Sequence, residues 1–561
     1  MQRRTVAAVA IAVVAVLAGC SGFLGGTGPA AQPASPTTGV TPSTDEPRST
    51  TVEPVPTADR STDRAPTASQ PGTETARPTE TAASPADATE TPNPSETTVA
   101  NGTAGGSDTD DAAVENRSDP ETDRLGWEGG YWYNETIDVD QSDGLSESER
   151  PALVARAMAR VERVRGLEFR SEVPVTVVSQ SQFASAQRSR STSTERRVFT
   201  NAKFEALFMV NESRDAVAVR RNGTASSVGG FYSSIREEIV LISSDGEVRV
   251  DESTLAHELT HALQDQHFGL SQFERPTREA HNAIDDLVEG DANLVGHLYE
   301  RRCAGAWNGT CLAPPADPAE GGAGSLPRVG PYLLRYQPYS DGPAFVNEFR
   351  QRGGWERVNA LYEEPPASTE QTIHPHLYGE DEPRTVTVTD RSSAGWERLR
   401  VDGRPDYASV GEAGLASMFV RPAVATQGQV SVVPASDFFA RNDSLDPYNY
   451  STPYSAGWDG DRLVVYRNPS TPATEFGYVF RTAWDSPAEA REFADGYRQL
   501  LDIEGAEPVD GRNRTWRIEE GTGFGDAFRL RVTDETVTVV NAPSVEGLSD
   551  VHREAGNRSD R

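Results

Sequence analysis

Two histidines and a glutamate near the middle of the chain have the types and spacing of a metal centre. His257, Glu258 and His261 form the pattern H-E-x-x-H, and five of the eight histidines fall between His257 and His297. Residues four apart share a face of an α-helix, so both imidazoles can reach one metal ion. Glu258 follows the first histidine directly and can act as a general base toward water beside that ion. The pattern therefore predicts a zinc site with hydrolytic chemistry.

A catalytic zinc site needs a third protein ligand, and a second helix predicted from 277 to 301 is the place to look for it. Glu289 is the preferred ligand, Asp285 is its rival, and two further histidines are weaker candidates. These residues belong to a row in which each member lies four positions after the last: His281, Asp285, Glu289, Asn293 and His297. A step of four drifts by about 40° around a helix, so only three consecutive members share a face.

The elements before the metal helix predict an α+β domain. Apolar residues recur at helical spacing from Leu153 to Val164, and a second helix is expected to end within 204–210. Three short apolar runs, 173–178, 216–219 and 239–242, are predicted to be strands. A turn is expected at 244–246, and Ser253 is expected to cap the metal helix. We assign residues 126–395 to this domain.

The two helices together resemble the gluzincin class of zinc metallopeptidases, which is thermolysin-like in general plan. The spacing from His261 to Glu289 is 28 residues, longer than in thermolysin itself, so the resemblance is to the class. It implies a zincin-like fold with one zinc ion on His257, His261 and Glu289. Glu258 would take a proton from water and pass it to the leaving amine. Asn293 lies where that class often has an acidic partner for a ligand histidine, and we expect it to accept that hydrogen bond.

A polar segment bracketed by prolines, residues 366–375, contains His374 and is followed by Tyr378. We expect either side chain to donate a hydrogen bond to the oxyanion, and an exposed loop is the alternative. Two amphipathic helices broken at Gly353-Gly354 precede the segment. The stretches 255–266, 288–292, 353–355 and 368–375 resemble a family of exported haloarchaeal and bacterial lipoproteins with gluzincin-like motifs. The resemblance covers about residues 126–384 and implies a peptidase fold, but no substrate.

The first 20 residues predict an export signal that ends in a lipid anchor. Arg3 and Arg4 precede an apolar run, 6–17, which is shorter than the roughly 20 residues that span a bilayer. The run leads into Leu-Ala-Gly-Cys, which resembles a lipobox with Cys20 as the lipidated residue. An ordinary cleaved signal peptide is the alternative. Residues 21–125 are rich in Thr, Ser, Pro and acidic residues and are predicted to be a disordered linker.

Charge and cysteine usage agree with an exported protein. The net charge is −32, and Lys203 is the only lysine. This acidity resembles proteins of halophilic archaea and disfavours nucleic acid as a partner. Cys303 and Cys311 remain as a pair once Cys20 carries lipid, and they predict a disulfide. Several N-x-S/T sites, including Asn134 and Asn308, suit a glycosylated surface.

The C-terminal part, residues 396–548, is predicted to be a smaller α+β module, and residues 549–561 a disordered tail. Its chemistry is not evident, and Glu412 is interpreted as a helix-start carboxylate. The whole sequence favours a lipid-anchored zinc endopeptidase on the outer face of the cell membrane. Its partners would be peptide or protein substrates, with possible contact to a surface layer. The alternative is a non-catalytic surface protein that keeps a zincin fold for scaffolding or adhesion; a metal-capture protein is a weaker third reading.

Overall fold

The computed structural model describes residues 120 and 122–554, except for 190, 226–228, 244–246, 314–328, 442 and 473–474. The predicted signal and lipid anchor at Cys20, nearly all of the predicted linker and the predicted turn at 244–246 lie outside the described residues. Among the helices of the described part, none is both long and apolar enough to cross a bilayer.

The chain first forms a short hairpin and a long helix. Strands β1 (Trp127–Glu128) and β2 (Tyr131–Trp132) pair antiparallel. Helix α1 (Arg150–Arg165) begins with Pro151 in its first turn, where a missing N–H has no cost, and ends at Gly166, whose φ of 76° suits glycine. Its buried side packs into a core that also contains Trp132 and Leu259.

A three-stranded sheet precedes the predicted metal helix. Its order is β3 (Val175–Ser179), β5 (Glu238–Ser243), β4 (Gly230–Ser233), so β4 is an edge strand. The β3 and β5 strands run parallel, while β4 runs antiparallel to β5. The strands predicted at 173–178 and 239–242 are therefore confirmed. Three helices lie between β3 and β4 in the chain: α2 (Gln180–Ser189), α3 (Thr194–Ala206) and α4 (Ala216–Ala225).

The strand predicted at 216–219 is wrong, because these residues begin helix α4. The alternation Ala-Val-Ala-Val suggested a strand, but the residues before it stabilise a helix start. The Asp215 carboxylate accepts a hydrogen bond from the Val217 N–H at 2.9 Å, and the Asn201 side chain accepts one from the Ala216 N–H at 2.9 Å. Capping of the first N–H groups thus outweighs the period of a short apolar run.

Three long helices form the centre of the molecule. Helix α5 (Glu252–Phe268) leads through a single 3₁₀ turn to α6 (Arg278–Cys303), and α7 (Val329–Leu361) packs against α6. The break predicted in α7 is confirmed, because Gly353 and Gly354 leave helical geometry. Cys303 and Cys311 form a disulfide, with their Cα atoms 5.8 Å apart.

A buried ion-pair cluster joins α1 to the first turn of α5. The carboxylate of Glu252 accepts hydrogen bonds from Arg160 at 2.6 Å and from Arg156 at 3.0 and 3.1 Å. It also accepts from the Tyr299 hydroxyl of α6 at 2.6 Å and from the Leu312 N–H at 2.8 Å. Glu252 is fully buried. Four segments of the chain therefore meet at one carboxylate, which fixes where α5 begins.

The C-terminal part is an antiparallel seven-stranded sheet of order β6-β7-β8-β12-β11-β10-β9. Its strands are β6 (Glu397–Arg398), β7 (Trp458–Arg467), β8 (Phe476–Trp484), β9 (Glu507–Pro508), β10 (Thr515–Arg517), β11 (Ala527–Thr533) and β12 (Thr536–Ala542). Its helices are α9 (Gly411–Ala425), α10 (Ala435–Phe438), α11 (Pro487–Ile503) and α12 (Gly547–Val551). Residues 549–551 belong to helix α12, and Val551 is buried against the sheet, so the disordered tail predicted from residue 549 is wrong for these residues.

The architecture is mixed α+β, as predicted. The largest hydrophobic core contains Phe204 of α3, Leu333 of α7 and Met418 of α9 together with Phe480 and Val539 of the seven-stranded sheet. The helical part and the sheet therefore share one core. A short helix, α8 (Thr369–Ile373), lies within the polar segment 366–375. It also links the two parts, because its Thr369 hydroxyl donates to Glu279 of α6 and accepts from the Ala413 N–H of α9.

Candidate metal centre

Helix α5 carries the H-E-x-x-H residues, and Asp251 caps its N-terminus. The Asp251 carboxylate accepts hydrogen bonds from the N–H groups of Ser253 and Thr254, both at 2.9 Å. Asp251 is therefore the cap, and the cap predicted at Ser253 is wrong. An aspartate at this position satisfies two N–H groups of the first turn and complements the helix dipole.

Helix α6 positions Glu289 through a close approach to α7. A Cβ on Gly290 would lie 2.4 Å from the carbonyl of Gly342, so only glycine fits where the two helices cross. Thr277 caps α6 by accepting a hydrogen bond from the Ala280 N–H at 3.2 Å. The residue next to the crossing, Glu289, is thereby held against α5.

The structure brings His257, His261 and Glu289 together, as the sequence predicted. The two Nε2 atoms lie 3.1 Å apart, and the Glu289 Oε2 atom lies 3.3 Å from each of them. The histidines are buried, while Glu289 keeps one fifth of its side chain exposed. These three residues form one of three groups in the described part of the chain whose ligand atoms lie close enough to hold a metal ion.

The triangle of donor atoms has the dimensions that a zinc ion requires. Protein ligands about 2.0–2.1 Å from a tetrahedral zinc ion lie about 3.3 Å from one another. The observed edges of 3.1, 3.3 and 3.3 Å match that value. Two imidazole nitrogens and one carboxylate oxygen are also a donor set that suits zinc. The residues therefore fit a zinc ion with one position left for substrate.

The electrostatics of the triangle show how its members hold one another. Burial alone would lower the pKa of His261. The negative charges of Glu289 and Glu258, together with the hydrogen bonds to Glu289 and Gln264, outweigh burial and raise it to about 9. Burial alone would raise the pKa of Glu289, whereas the facing His261 and His257 hold it well below its usual value. The carboxylate and the imidazoles are thus complementary in charge, and their relative positions are set by the fold.

Glu258 faces the edge of the three-stranded sheet. Its side chain is buried, and its Oε2 atom accepts a hydrogen bond from the Tyr232 N–H of β4 at 2.8 Å. The Gly229 carbonyl accepts a hydrogen bond from the Ile242 N–H of β5 at 2.8 Å. Because backbone groups alternate in direction along an antiparallel strand, those of Phe231 also face β5, and those of Gly230 and Tyr232 face away from it. The sequence could not indicate this contact, because the donor is a backbone group of a residue 26 positions away.

Gln264 orients one of the ligand histidines. The His261 Nδ1 atom lies 2.9 Å from the Gln264 side-chain oxygen, and the Gln264 amide donates to the Val288 carbonyl at 2.9 Å. The Asn293 amide donates to the Glu289 carbonyl at 2.8 Å. The expected role of Asn293 as an acceptor for a ligand histidine stays a prediction. Gln264 lies three residues after His261, and that helical spacing was the signal to use.

Asp285, the rival third ligand, is engaged elsewhere. Its carboxylate contacts Arg275 at 2.6 Å and His281 at 3.2 Å. Burial raises the pKa of Asp285 to about 7, although Arg275 favours its charged form. Neither His281 nor His297 belongs to a possible metal group within the described residues. Glu289 is therefore the member of the predicted row that completes the triangle.

The segment 366–375 packs against α6, and His374 faces the C-terminal part. The Thr369 hydroxyl donates to Glu279 at 2.9 Å, and the Thr372 hydroxyl donates to Asp286 at 2.6 Å. The His374 Nε2 atom lies 3.1 Å from the buried Glu412 carboxylate of α9. Burial, together with the positive charge of Arg441, lowers the pKa of His374. Glu412 thus pairs with His374, which sequence reasoning missed, and the oxyanion role of His374 stays a prediction.

Comparisons with known proteins concern the C-terminal part alone. The profile of DUF8575, a domain of unknown function, matches residues 397–552, from the start of β6 to the end of α12. No curated protein and no solved structure matches the chain. The case for a function therefore rests on the chemistry of the site.

Proposed function

We propose that this chain is a zinc-dependent metallopeptidase with a zincin-like catalytic domain. The observation that carries the proposal is the triangle formed by His257, His261 and Glu289, with edges of 3.1–3.3 Å. When bound there, zinc would act as a Lewis acid that polarises a peptide carbonyl and lowers the pKa of water. The protein residues then have to place the substrate and move one proton.

Glu258 has the position and chemistry for the proton transfer. It lies on the same helix turn as the two histidines, and the Tyr232 N–H holds its Oε2 atom in place. Its carboxylate can take the proton of the attacking water and deliver it to the amine that leaves. Because its side chain is buried, bulk water competes little with that transfer.

Strand β4 supplies a surface for an extended substrate. Its outward-facing backbone groups at Gly230 and Tyr232 lie beside Glu258, which holds the Tyr232 N–H, so the backbone groups of Gly230 and the Tyr232 carbonyl are the ones turned toward a substrate. A peptide added along that edge would pair with β4 through main-chain hydrogen bonds, independent of its side chains. The scissile carbonyl would then lie between Glu258 and the metal ligands, as an endopeptidase requires.

We further propose that the enzyme is exported and held at the outer face of the cell membrane by lipid on Cys20. The disulfide between Cys303 and Cys311 supports export, since such bonds persist in oxidising compartments. The acidic composition suits a protein that works in concentrated salt.

Elemental analysis of the full chain tests the metal centre. We expect one zinc per wild-type chain after dialysis, loss of zinc in Glu289→Ala, and retention in Asp285→Asn. The last two variants compare the third ligand with its rival four residues earlier on the same helix. Zinc loss from Asp285→Asn with retention in Glu289→Ala would reverse the assignment.

Digestion of a peptide mixture tests the activity. Zinc-loaded full chain should cleave internal peptide bonds, as seen by mass spectrometry of the fragments, and a chelator should stop cleavage until zinc is restored. A zinc-loaded chain that cleaves nothing would leave the non-catalytic surface protein as the better account.

The Gln264 hydrogen bond gives a finer prediction about metal affinity. Gln264→Ala should weaken zinc binding by about 10–100-fold, because His261 loses the partner that fixes its ring orientation. Competition with a coloured chelator measures this change. Asn293→Ala should weaken zinc binding less, since the Asn293 amide donates to the backbone carbonyl of Glu289 and not to a ligand atom. Equal effects of the two variants would contradict the assigned role of Gln264.

A further inference from the structure

A group of positive charges lies together in a chain whose net charge is −32. We call it the cationic cluster: Lys203 of α3, Arg220 of α4, Arg278 of α6, Arg335 of α7 and Arg404. It includes the only lysine of the chain. Five segments that are distant in sequence therefore bring like charges to one place.

Contacts with a shared ring place the first two members. The Lys203 Nζ atom lies 4.8 Å from the centre of the Phe204 ring, and the Arg220 Cζ atom lies 5.7 Å from it. Phe204 is buried in the largest core, so this ring is a fixed support. Cation–π contact stabilises each charge at the ring, although the two cations repel each other.

Hydrogen bonds near the start of α6 place Arg278, and they bring the backbone next to Arg335 and the segment that carries Arg404 to the same end of that helix. Arg278 donates to the Asn282 side chain at 3.2 Å, and Asn282 donates to the Leu334 carbonyl at 2.8 Å, directly before Arg335. The Glu279 N–H, next to Arg278, donates to the Ser409 carbonyl at 3.2 Å and so ties the 404–410 segment to α6.

The members also act on one another electrostatically. Burial lowers the pKa of Lys203 well below its usual value, and the charges of Arg278, Arg220 and Arg404 lower it further. Burial lowers the pKa of Arg220 to about 10, with repulsion from Arg278, Arg404 and Arg335 acting in the same direction. Lys203 and Arg278 are half-buried. Arg220, Arg335 and Arg404 keep much of their surface in contact with solvent, although neighbouring protein surrounds enough of Arg220 to lower its pKa, so solvent reaches the cluster.

The cluster adjoins the candidate metal centre. Asp285 lies one turn before Glu289 on α6. Burial raises the pKa of the Asp285 carboxyl, and the charge of Glu289 contributes in the same direction. The same carboxylate is stabilised by Arg275 and Arg278. Arg278, Asp285 and Glu289 therefore follow one another along one face of α6, which leads from the cluster toward the ligand triangle.

We propose that the cationic cluster binds side-chain carboxylates of the substrate, so that the metal centre acts on peptides rich in aspartate and glutamate. The inference deepens the proposed peptidase function and rests on it, but the binding step can be measured without hydrolysis. The overall charge of −32 repels an acidic peptide, and the cluster supplies a local attraction beside the catalytic residues. Arginine is suited to the task, because its guanidinium binds a carboxylate through two hydrogen bonds.

Binding to a hydrolytically inactive chain tests the proposal. The probes are a fluorescein-labelled peptide of alternating alanine and glutamate and its counterpart with glutamine in place of glutamate. We expect zinc-loaded Glu258→Gln full chain to bind the glutamate peptide at least about tenfold more tightly by fluorescence anisotropy. At about 1 M salt the Debye length is about 3 Å, so a preference that persists there reports direct contact.

Matched variants locate the preference. Added to Glu258→Gln, Arg404→Gln and Lys203→Gln should each reduce the preference for glutamate at least about threefold, while Arg400→Gln should not change it. Arg400 is an exposed arginine of the segment that also carries Arg404, which makes it the control for total charge. Because Lys203 is half-buried, unfolding curves are compared for each variant, and Arg404→Gln alone carries the test if Lys203→Gln does not fold.

Several outcomes would overturn the proposal. Equal binding of the two peptides would do so, as would an equal effect of Arg400→Gln and Arg404→Gln. Displacement of the glutamate peptide by inorganic phosphate at a concentration where acetate has no effect would assign the cluster to phosphate instead. A clear binding preference in a chain whose wild type cleaves no peptide would leave the anion site standing and remove the peptidase function.

Discussion

Glu258→Gln reduces the kcat for peptide hydrolysis by about 10³-fold while one zinc ion stays bound; this is the expected result of the most direct test of the site. Glutamine has nearly the shape of glutamate but cannot accept the proton of the attacking water. It can still accept the Tyr232 N–H, so β4 stays in place. Rates are measured on a cleaved peptide under saturating conditions, with zinc content determined on the same samples.

The control for this variant is Glu274→Gln, which removes the same charge from an exposed position before α6. It should leave both kcat and zinc content unchanged. If Glu258→Gln and wild type hydrolyse the peptide equally while each holds one zinc, then Glu258 does not transfer the proton. If Glu258→Gln also loses zinc, the carboxylate contributes to metal binding, and the triangle alone does not describe the centre.

Glu252→Gln should lower the free energy of unfolding by about 3–5 kcal/mol, the largest stability effect that the structure predicts. The change leaves Arg156 and Arg160 buried without the charge that neutralises them. The Tyr299 hydroxyl and the Leu312 N–H also lose a charged acceptor. Equilibrium unfolding in denaturant, at constant salt, measures the shift in midpoint.

Glu348→Gln is the matched control, because Glu348 pairs with Arg352 at 2.6 Å on the surface of α7 and both side chains are about half exposed. Exposed pairs of this kind stabilise a protein by about 0–1 kcal/mol. A midpoint for Glu252→Gln that matches the control would mean that water or a rearrangement neutralises the two arginines. That result would contradict the view that Glu252 fixes the start of α5.

Local spacing was enough to predict the two histidines of the triangle. His257 and His261 lie four residues apart on one helix, and helix geometry alone places them on one face. Glu289 was the preferred member of a row of five because the gluzincin resemblance selected it, and the contact of Asp285 with Arg275 explains why the rival is occupied. The helix over Leu153 to Val164 and the strands at 173–178 and 239–242 followed from periodicity in the same way.

Predictions failed where a contact between distant residues decided the outcome. Residues 216–219 alternate as a strand does, but Asn201 and Asp215 cap a helix there. The contact of Gln264 with His261 was not predicted. The burial of Glu252 against two arginines was not predicted either, because it depends on how α1 packs.

The sequence by itself determined which residues can hold a metal ion and act as a base, because ligand type and helical spacing are local properties of the chain. It also determined the acidic composition and the cysteine pair that support an exported protein. Only the tertiary structure decided that β4 presents its edge to Glu258 and that Glu412 of α9 pairs with His374. Those features depend on the packing of segments far apart in the chain, and such packing leaves no short-range pattern in the sequence.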